Sequence, residues 1–210
     1  MTPVLYDYWR SSASYRVRIA LAHLGLEWQS VPVNLVEGDQ RGGANLARNP
    51  QGLVPTLDID GLMLTQSLAI IEYLAETRGG GLLPDDAAGR ARVRAISYAV
   101  AMEIHPICNL SVGKYAVETS GGAITTEGWM RHFIAKGLSA LEAMLASWSA
   151  GGFCHGDRLT MADCCLVPQI YNARRWGVDL GAMPTLVRID AALADLPAVK
   201  AAHPDRWGKA

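Results

Sequence analysis

SSASYRVRIAL, residues 11–21, is the stretch that decides how the first half of this chain folds. It follows an apolar run, Val4 to Tyr8, that has the length of a short strand. Apolar residues then recur at helical spacing from Val17 to Leu24, and Gly25 is a natural helix stop. The pattern therefore predicts a strand, a turn that carries serines, and a helix over Ser11 to Leu24.

The serines at this turn have two interpretations. Serine is a favoured N-cap because its side-chain oxygen accepts a hydrogen bond from an unpaired backbone N–H. The same free N–H groups, with the partial positive charge of a helix N-terminus, also stabilise an anion. A serine hydroxyl in that field donates to a thiolate and lowers the pKa of the thiol. Ser11 and Ser12 are therefore either helix caps or part of a thiol-activating site.

Composition and charge exclude several function classes. The chain has 210 residues, enough for one or two domains, and half of them are hydrophobic. A net charge of -1 gives no electrostatic case for nucleic acid or for an anionic membrane surface. No apolar run approaches the roughly 18 residues that a membrane span needs. The first residues show no charged-then-apolar signal pattern, which predicts a cytoplasmic location.

The four cysteines, Cys108, Cys154, Cys164 and Cys165, form no C-x-x-C pair and have no zinc-ligand spacing. Adjacent Cys164 and Cys165 are poor disulfide partners. The sequence therefore predicts reduced, buried thiols and no metal site. Any thiol chemistry is expected to belong to a bound small molecule.

A second strand is predicted over Trp28 to Leu35, where polar and apolar residues alternate. Strand, helix and strand in succession imply a parallel βαβ unit. The polar, glycine-containing segment from Gly38 to Asn49 is interpreted as a loop with a short helix.

A hairpin follows, because Asp60-Gly61 separates two short apolar runs, Thr56 to Ile59 and Leu62 to Leu64. Val54-Pro55 directly precedes the third strand, where proline removes a ladder donor and a cis bond is possible. Small polar residues at Thr65-Gln66-Ser67 then begin another predicted helix.

Beyond the linker at Gly79-Gly80-Gly81 the pattern is helical throughout. We therefore expect a first domain over residues 1–82 and an all-α domain over 83–210. One helix is predicted from the apolar stripe at Val93 to Ile104, and another from Trp129 to Trp148 with both tryptophans in the core. The capping box Thr160 to Asp163 opens an apolar helix from Cys164 to about Arg175, and Met183-Pro184-Thr185 opens one more, to about Asp195. Asp163 is expected to be a buried cap, and Arg16 and Arg18 structural or surface residues.

A βαβ-ββα domain with proline before its third strand, followed by a helical domain, resembles the glutathione transferase superfamily. SSASYRVRIAL is similar to the signature of its zeta class. Further segments similar to that class are Asn49-Pro50, Val54-Pro55-Thr56-Leu57, Gln66 to Leu74, Asn109 to Val112, Gly156-Asp157, Thr160 to Asp163 and Leu166 to Gln169. The resemblance covers nearly the whole chain, and several motifs in order make it specific.

The resemblance implies an α/β thioredoxin-like N-terminal domain that binds glutathione and an all-α, substrate-binding C-terminal domain. Ser11, supported by Ser12, is expected to donate a hydrogen bond to the glutathione sulfur. The backbone of Val54, exposed by a cis Pro55, is expected to pair with the cysteinyl group as an added strand does. Further cofactor-binding residues implied by the family are Gln66 and Ser67 at the γ-glutamyl carboxylate, Gln40 in the loop, and His105, Asn109 and Ser111 from the second domain.

The zeta class further implies a glutathione-dependent cis–trans isomerase that converts maleylacetoacetate to fumarylacetoacetate. A thiolate adds to the activated alkene, the resulting single bond rotates, and the thiolate leaves. The substrate is a small dicarboxylate keto acid, so arginines suit it through bidentate pairing, and Arg10 and Arg175 are the candidates. The catalytic residues implied are therefore Ser11, Ser12, Arg10 and Arg175. The family also implies a homodimer and a place in tyrosine and phenylalanine breakdown.

Three other functions stay open. A maleylpyruvate isomerase shares the mechanism, although that group tends to carry arginine where this chain has Asn109-Leu110-Ser111. A glutathione transferase acting on small electrophiles such as α-haloacids is a second alternative. A non-catalytic binding module of the same fold is the third, against which the intact Ser11, Val54-Pro55 and Gln66-Ser67 argue. Ala13 departs from the family pattern, which often has cysteine at this position.

Overall fold

The computed structural model describes residues 2–148 and 151–208. The chain divides into two compact units, one of Met1–Leu83 with Ala194–Ala210 and one of Pro84–Leu193. The domains expected from the sequence, 1–82 and 83–210, put the last residues with the helical half, whereas the backbone contacts group them with the first unit. The exact domain boundaries stay a prediction.

The first unit is built on a sheet of four short strands: β1 (Val4–Asp7), β2 (Gln29–Pro32), β3 (Thr56–Ile59) and β4 (Leu62–Thr65). The strand order is β2-β1-β3-β4, with β1 parallel to β2 and the other pairs antiparallel. This confirms the predicted βαβ unit and the hairpin. The second strand is shorter than the predicted 28–35, because its partner β1 ends at Asp7, opposite Pro32.

The helices of the first unit are α1 (Ser12–His23), α2 (Gly43–Arg48), α3 (Ser67–Arg78) and α9 (Pro197–Ala202), with 3-10 turns at Asp39–Arg41 and Pro204–Arg206. α1 ends as predicted, with Gly25 at φ 66. The core lies where α1 meets the sheet, because Leu5, Val17, Leu21 and Leu57 are all fully buried.

The register of the sheet brings four loops to one end of it. Tyr6 of β1 lies opposite Thr56 of β3, and Thr56 lies opposite Thr65 of β4. The turn after β1, the segment before β3 and the segment after β4 therefore share this end. β2 runs parallel to β1, so the loop that follows it starts there too.

The second unit contains helices and no strand among its described residues, 84–148 and 151–193, which confirms the predicted all-α half. The helices are α4 (Ala87–Tyr98), continued by a π-helical turn (Ala99–Ile104), then α5 (Leu110–Thr119), α6 (Thr126–Trp148), α7 (Met161–Arg175) and α8 (Pro184–Ala194), whose last residue belongs to the first unit. None of the helices that the structure describes is long and apolar enough to cross a membrane.

The two tryptophans of α6 correct a prediction. Trp129 and Trp148 were expected in the core, but both are only half-buried. The indole N–H of Trp129 donates to the carbonyl of Ile107 at 2.9 Å, so its polar edge is held at the surface of the helix layer. The core of this helix is formed by Met130, Ile134, Leu138, Leu141 and Leu145 instead.

The predicted buried cap at Asp163 is confirmed. Its carboxylate accepts from the backbone N–H of Thr160 at 2.8 Å, from the Thr160 hydroxyl at 2.9 Å and from the Cys154 N–H at 2.9 Å. The side chain is fully buried, and this burial raises the pKa of Asp163 although the hydrogen bonds oppose it. Asp163 therefore holds the start of α7 and takes no part in chemistry at a surface.

Candidate functional site

The turn from β1 to α1 is closed by two backbone bonds around Ser11. The Ser11 N–H donates to the carbonyl of Tyr8 at 2.9 Å, and the Ser11 carbonyl accepts from Tyr15 at 2.9 Å. The Ser11 side chain accepts from the Ser14 N–H at 3.3 Å, so the cap predicted from the sequence is present. Ser11 and Ser12 are both half-buried.

No side chain in the first turn of α1 neutralises the partial positive charge at the N-terminus of this helix. No acidic residue lies in the first turn of α1. The Ser11 hydroxyl still carries a proton to donate, because its bond to Ser14 uses it as an acceptor. This helix end can therefore stabilise an anion through its field, its free N–H groups and one hydroxyl.

Arg10 precedes this turn and is exposed. Its guanidinium carbon lies 4.6 Å from the centroid of the Trp9 ring, a cation–π distance that restrains the side chain. The arrangement leaves the edge of the guanidinium available for a carboxylate.

The segment before β3 contains the expected cis bond, between Val54 and Pro55. Pro55 and Thr56 are buried, and Val54 is half-buried. In the antiparallel pair of β1 and β3, Thr56 is the first residue with a partner. The backbone groups of Val54 lie outside this ladder and are suited to an added extended segment.

The segment after β4 is unusual at Gln66, which has φ 67 and ψ 113. Non-glycine residues rarely adopt positive φ, and those that do are often found at ligand sites. The Gln66 amide donates to Gln51 at 2.7 Å, which ties this segment to the loop before β3. Gln66 caps α3 without a side-chain bond, and the first turn of α3 also lacks an acidic residue. α3 therefore offers a second uncompensated helix N-terminus.

Ser67, the first residue of α3, is 6 % exposed. Its hydroxyl accepts from Nη1 of the buried Arg16 at 3.2 Å, which leaves the hydroxyl proton to donate elsewhere. The positively charged guanidinium of Arg16 therefore lies next to the start of α3.

Gln40 lies in the 3-10 turn after β2, beside the loop that leads to Val54. Its carbonyl accepts from the Asn45 amide at 3.0 Å and lies near Gly52, where an added Cβ would come within 3.3 Å of it. Its side-chain oxygen is buried and meets no hydrogen-bond donor among the described residues. The predicted residues Ser11, Ser12, Gln40, Val54, Pro55, Gln66 and Ser67 therefore all follow or precede strands at the same end of the sheet.

The predicted residues of the second unit have local structural roles. Asn109 caps α5 by accepting from the Ser111 N–H at 3.0 Å and from the Ser111 hydroxyl at 2.9 Å. His105 is half-buried at the end of the π-helical turn. Arg175 is exposed in the last turn of α7, with its guanidinium carbon 4.9 Å from the Trp176 ring centroid. Its neighbour Arg174 pairs with Asp190 at 2.6 Å.

The thiols of the protein itself are poor nucleophiles at neutral pH. Burial raises the pKa of Cys108 to about 11. Burial also raises the pKa of Cys154 and of Cys164 well above the usual range. All four cysteines are free, as predicted, with Cys108 half-buried and the others buried. Cys108, Cys154 and Cys164 are therefore poor candidates for a thiolate at the α1 N-terminus.

Comparison with known proteins agrees with these features. The family model described as glutathione S-transferase, N-terminal domain, matches residues 1–76, and the model for the C-terminal domain of the same family matches residues 126–204. A maleylacetoacetate isomerase of Rhizobium meliloti is 62% identical over 205 residues, which cover 97% of this chain and 96% of the relative. The chain is a zeta-class glutathione transferase.

Two solved structures of this family are similar over their full length. The maleylacetoacetate isomerase from Anaeromyxobacter dehalogenans, solved with glutathione in its active site, has a TM-score of 0.89 and 47% identity, covering 100% of this chain and 98% of its own. A maleyl pyruvate isomerase, described as a bacterial zeta-class glutathione S-transferase, has a TM-score of 0.94 and 41% identity, covering 99% of each chain. The predicted glutathione transferase fold, with its thioredoxin-like first domain, is thereby confirmed.

Arg16 and Arg18 were expected to be structural or surface residues, and the structural role is confirmed, because both are buried. The sequence did not show which segments they bond, namely those that carry Ser67 and Ser11. Sequence reasoning also missed Gln51, which holds Gln66. The available signal was the pair of arginines within a helix whose other central residues are apolar.

Proposed function

We propose that this chain is a glutathione-dependent cis–trans isomerase that converts maleylacetoacetate to fumarylacetoacetate. The observation that carries the proposal is the pair of helix N-termini, of α1 and α3, that begin at one end of the sheet without an acidic residue in either first turn. Two such ends suit a ligand with a thiolate at one position and a carboxylate at another. Glutathione has both, and the names of the similar proteins agree with this assignment.

The residues present fit glutathione at each of its parts. Ser11 and Ser12 are proposed to hold the sulfur, and the backbone of Val54 beside the cis Pro55 to pair with the cysteinyl group. Gln66 and Ser67 are proposed to hold the γ-glutamyl carboxylate, supported by the positive φ of Gln66 and by the Arg16 charge behind Ser67. Gln40, whose side-chain oxygen is buried without a donor, is assigned to the same ligand.

The chemistry that glutathione supplies when bound is a thiolate that adds to the maleyl double bond and leaves after rotation. The protein favours the thiolate through the hydroxyl proton of Ser11 and the field of α1. Arg10, restrained on Trp9, is proposed to bind a substrate carboxylate and to favour the negative charge that develops on the substrate. No part is assigned to Cys108, Cys154 or Cys164, because burial raises the pKa of each of these thiols.

Residues of the second unit complete the assignment. Arg175, which lies exposed in the last turn of α7, is proposed as a ligand of a substrate carboxylate, because its guanidinium can pair with a carboxylate in a bidentate way. His105, Asn109 and Ser111 are proposed as contacts of glutathione or substrate. For Asn109 and Ser111, their mutual bond and their cap on α5 fix where their polar groups lie.

Maleylpyruvate isomerisation is the second candidate function. The solved maleyl pyruvate isomerase has the higher TM-score of the two structures described above. Against it stands the sequence Asn109-Leu110-Ser111, which contains no arginine where that group tends to have one. The two candidates share a mechanism and differ in the length of the acyl chain.

We also propose a homodimer in the cytoplasm, acting in tyrosine and phenylalanine breakdown. The dimer is supported by large apolar residues exposed on the first unit, namely Leu53, Leu62 and Met63, each more than two-fifths exposed. The cytoplasmic location is supported by four free cysteines, which suit a reducing compartment.

The experiment that tests the function is isomerisation of maleylacetone, with and without glutathione, beside maleylpyruvate. We expect turnover that requires glutathione and regenerates it, and the faster substrate decides between the two candidates.

Ser11→Ala should lower turnover by roughly 100-fold, because the thiolate loses its hydroxyl donor. The matched control is Thr125→Ala, which removes the hydroxyl that accepts from the Gly128 N–H at 3.0 Å, at the start of α6. Glutathione binding without turnover of either substrate would refute the isomerase.

A further inference from the structure

Arg18 connects three separate segments of the first unit. Its side chain is fully buried, and its guanidinium donates to the carboxylate of Asp7, with which it forms an ion pair. It also donates to the carbonyl of Trp9 at 2.7 Å and to the carbonyl of Ala202 at 3.2 Å. These acceptors lie at the end of β1, in the turn before α1 and at the end of α9. A planar guanidinium with its donors in a fixed fork is the side chain that can hold three such acceptors at once.

The Trp9 carbonyl has a special place in its turn. The Ser11 N–H bonds the Tyr8 carbonyl, so Tyr8 to Ser11 form a β-turn in which Trp9 and Arg10 are the central residues. Turn types I and II differ chiefly in a flip of the peptide between those two residues. Arg10 is not among the described residues with positive φ, which excludes type II. The bond from Arg18 fixes the Trp9 carbonyl in this orientation, and the Arg10 N–H consequently points the opposite way.

Arg18 also ties the C-terminal segment to this turn. Its bond to Ala202 joins α9 to α1, and its guanidinium carbon lies 5.8 Å from the Trp207 ring centroid and 5.6 Å from that of Tyr15. Trp207 in turn stacks on Trp28, with ring centroids 5.2 Å apart. Ala202 and Trp207 of the C-terminal segment therefore contact the guanidinium, whose side chain is fully buried.

We propose that Arg18 is a positioning residue: it sets the orientation of the Trp9–Arg10 peptide and, through it, the placement of the Ser11 hydroxyl and the Arg10 guanidinium. The inference rests on the proposed function, because it assigns to Ser11 the role of thiolate donor. According to this proposal, Ala202 and Trp207 of the C-terminal segment also help to orient the Ser11 hydroxyl, through their contacts with Arg18.

Arg16, two residues earlier on α1, is a matched comparison. It is also buried, and its guanidinium donates to the hydroxyl of Ser67 at 3.2 Å, at the helix end proposed for the glutathione carboxylate. One buried arginine therefore supports the sulfur end of the ligand and the other the carboxylate end. A role in general stability would make the two substitutions behave alike, whereas positioning makes them differ.

The test uses R18K and R16K in the full chain, since lysine keeps the charge but cannot span several acceptors. For R18K we expect the pKa of the bound glutathione thiol, followed by thiolate absorbance, to rise by about one unit toward that of a free thiol. We expect kcat to fall roughly 10- to 100-fold with little change in KM for glutathione. For R16K we expect the reverse, a KM for glutathione raised roughly tenfold and an unchanged thiol pKa.

Hydrogen exchange at the Ser11 amide tests the same proposal without glutathione. In R18K this N–H should exchange roughly tenfold faster, because the turn bond to Tyr8 loses its support. If wild-type protein neither binds glutathione nor turns over substrate, the proposed function fails, and this exchange rate still decides for or against Arg18. A folded R18K with wild-type exchange at Ser11, or with the same kinetic change as R16K, would overturn the proposal.

Should R18K not fold, Trp207→Ala replaces it. This variant removes a ring that faces the guanidinium and leaves every charge in place. We expect the same direction of change, with faster exchange at Ser11 and a raised thiol pKa. An unchanged Ser11 amide in folded W207A would equally overturn the role assigned to the C-terminal segment.

Discussion

The helices α1 and α7 both have a hydroxyl residue as N-cap, Ser11 and Thr160, but only α7 has an acidic residue in its first turn. At α7, the carboxylate of Asp163 accepts three hydrogen bonds and is fully buried. At α1, Ser11 accepts one bond from Ser14 at 3.3 Å, and no acidic residue follows in the first turn.

The difference separates a helix end whose cap is completed within the protein from one whose field is left uncompensated, as the proposed thiolate site requires. A capping carboxylate satisfies the free N–H groups and neutralises the helix dipole within the protein. Where it is missing, the field remains available to an external anion. Both segments have the sequence of a helix N-cap. What distinguishes the two helix ends is whether an acidic residue follows in the first turn and whether the end is buried.

The largest expected effect comes from Asp163→Ala. It leaves the buried donors of Thr160 and Cys154 without an acceptor, so the free energy of unfolding should fall by about 3 kcal/mol. Because burial raises the pKa of Asp163 in the folded state, the loss should be greatest at low pH and shrink as pH rises through that pKa. Denaturant unfolding from about pH 4 to about pH 7 measures both. A D163A variant as stable as wild type would show that the cap at the start of α7 does not stabilise the protein.

Ser12→Asp sharpens the comparison by giving α1 the acid that it lacks. A carboxylate in the first turn should raise the free energy of unfolding by about 0.5 kcal/mol. The same charge repels a thiolate, so turnover should fall roughly tenfold below that of Ser12→Asn, which separates the added charge from the lost hydroxyl. Equal turnover of S12D and S12N would show that the α1 field does not act on the thiolate.

Glu142→Gln extends the comparison to α8, whose start is capped by another helix. The Glu142 carboxylate of α6 accepts from the N–H groups of Thr185 at 3.0 Å and Leu186 at 2.9 Å. Burial raises the pKa of Glu142, but bonds from Thr185 and Leu186 outweigh it and hold the pKa below the usual range.

The variant should lose about 1 kcal/mol of unfolding free energy at neutral pH. Its deficit should vanish as pH falls through the lowered pKa, the reverse of the trend for Asp163. Parallel unfolding curves of E142Q and wild type at both ends of the pH range are the measurement. A deficit that persists in acid would mean that packing at Glu142, and not its charge, holds α8.

Local pattern was sufficient where one segment decides its own structure. The helix after Ser11, the hairpin at Asp60-Gly61 and the capping box at Thr160 were predicted, because each depends on residues a few positions apart. The residues alone made a cis bond at Pro55 only possible, and it was the family resemblance that implied it. The second strand was predicted too long, because its length is set by β1, which ends at Asp7. The tryptophans of α6 were misplaced, because an apolar stripe does not show which of its members keeps a polar edge at the surface.

The sequence by itself determined the strands and helices of each half, the serines at the start of α1, and, through its motifs, the family. Only the tertiary structure decided what supports them. Arg18 bonds Asp7 and Trp9 near its own helix, and it reaches Ala202, 184 residues away from it in sequence, because α9 packs on α1. A buried guanidinium needs several acceptors at once, and folding, not sequence spacing, brings such distant carbonyls to one point.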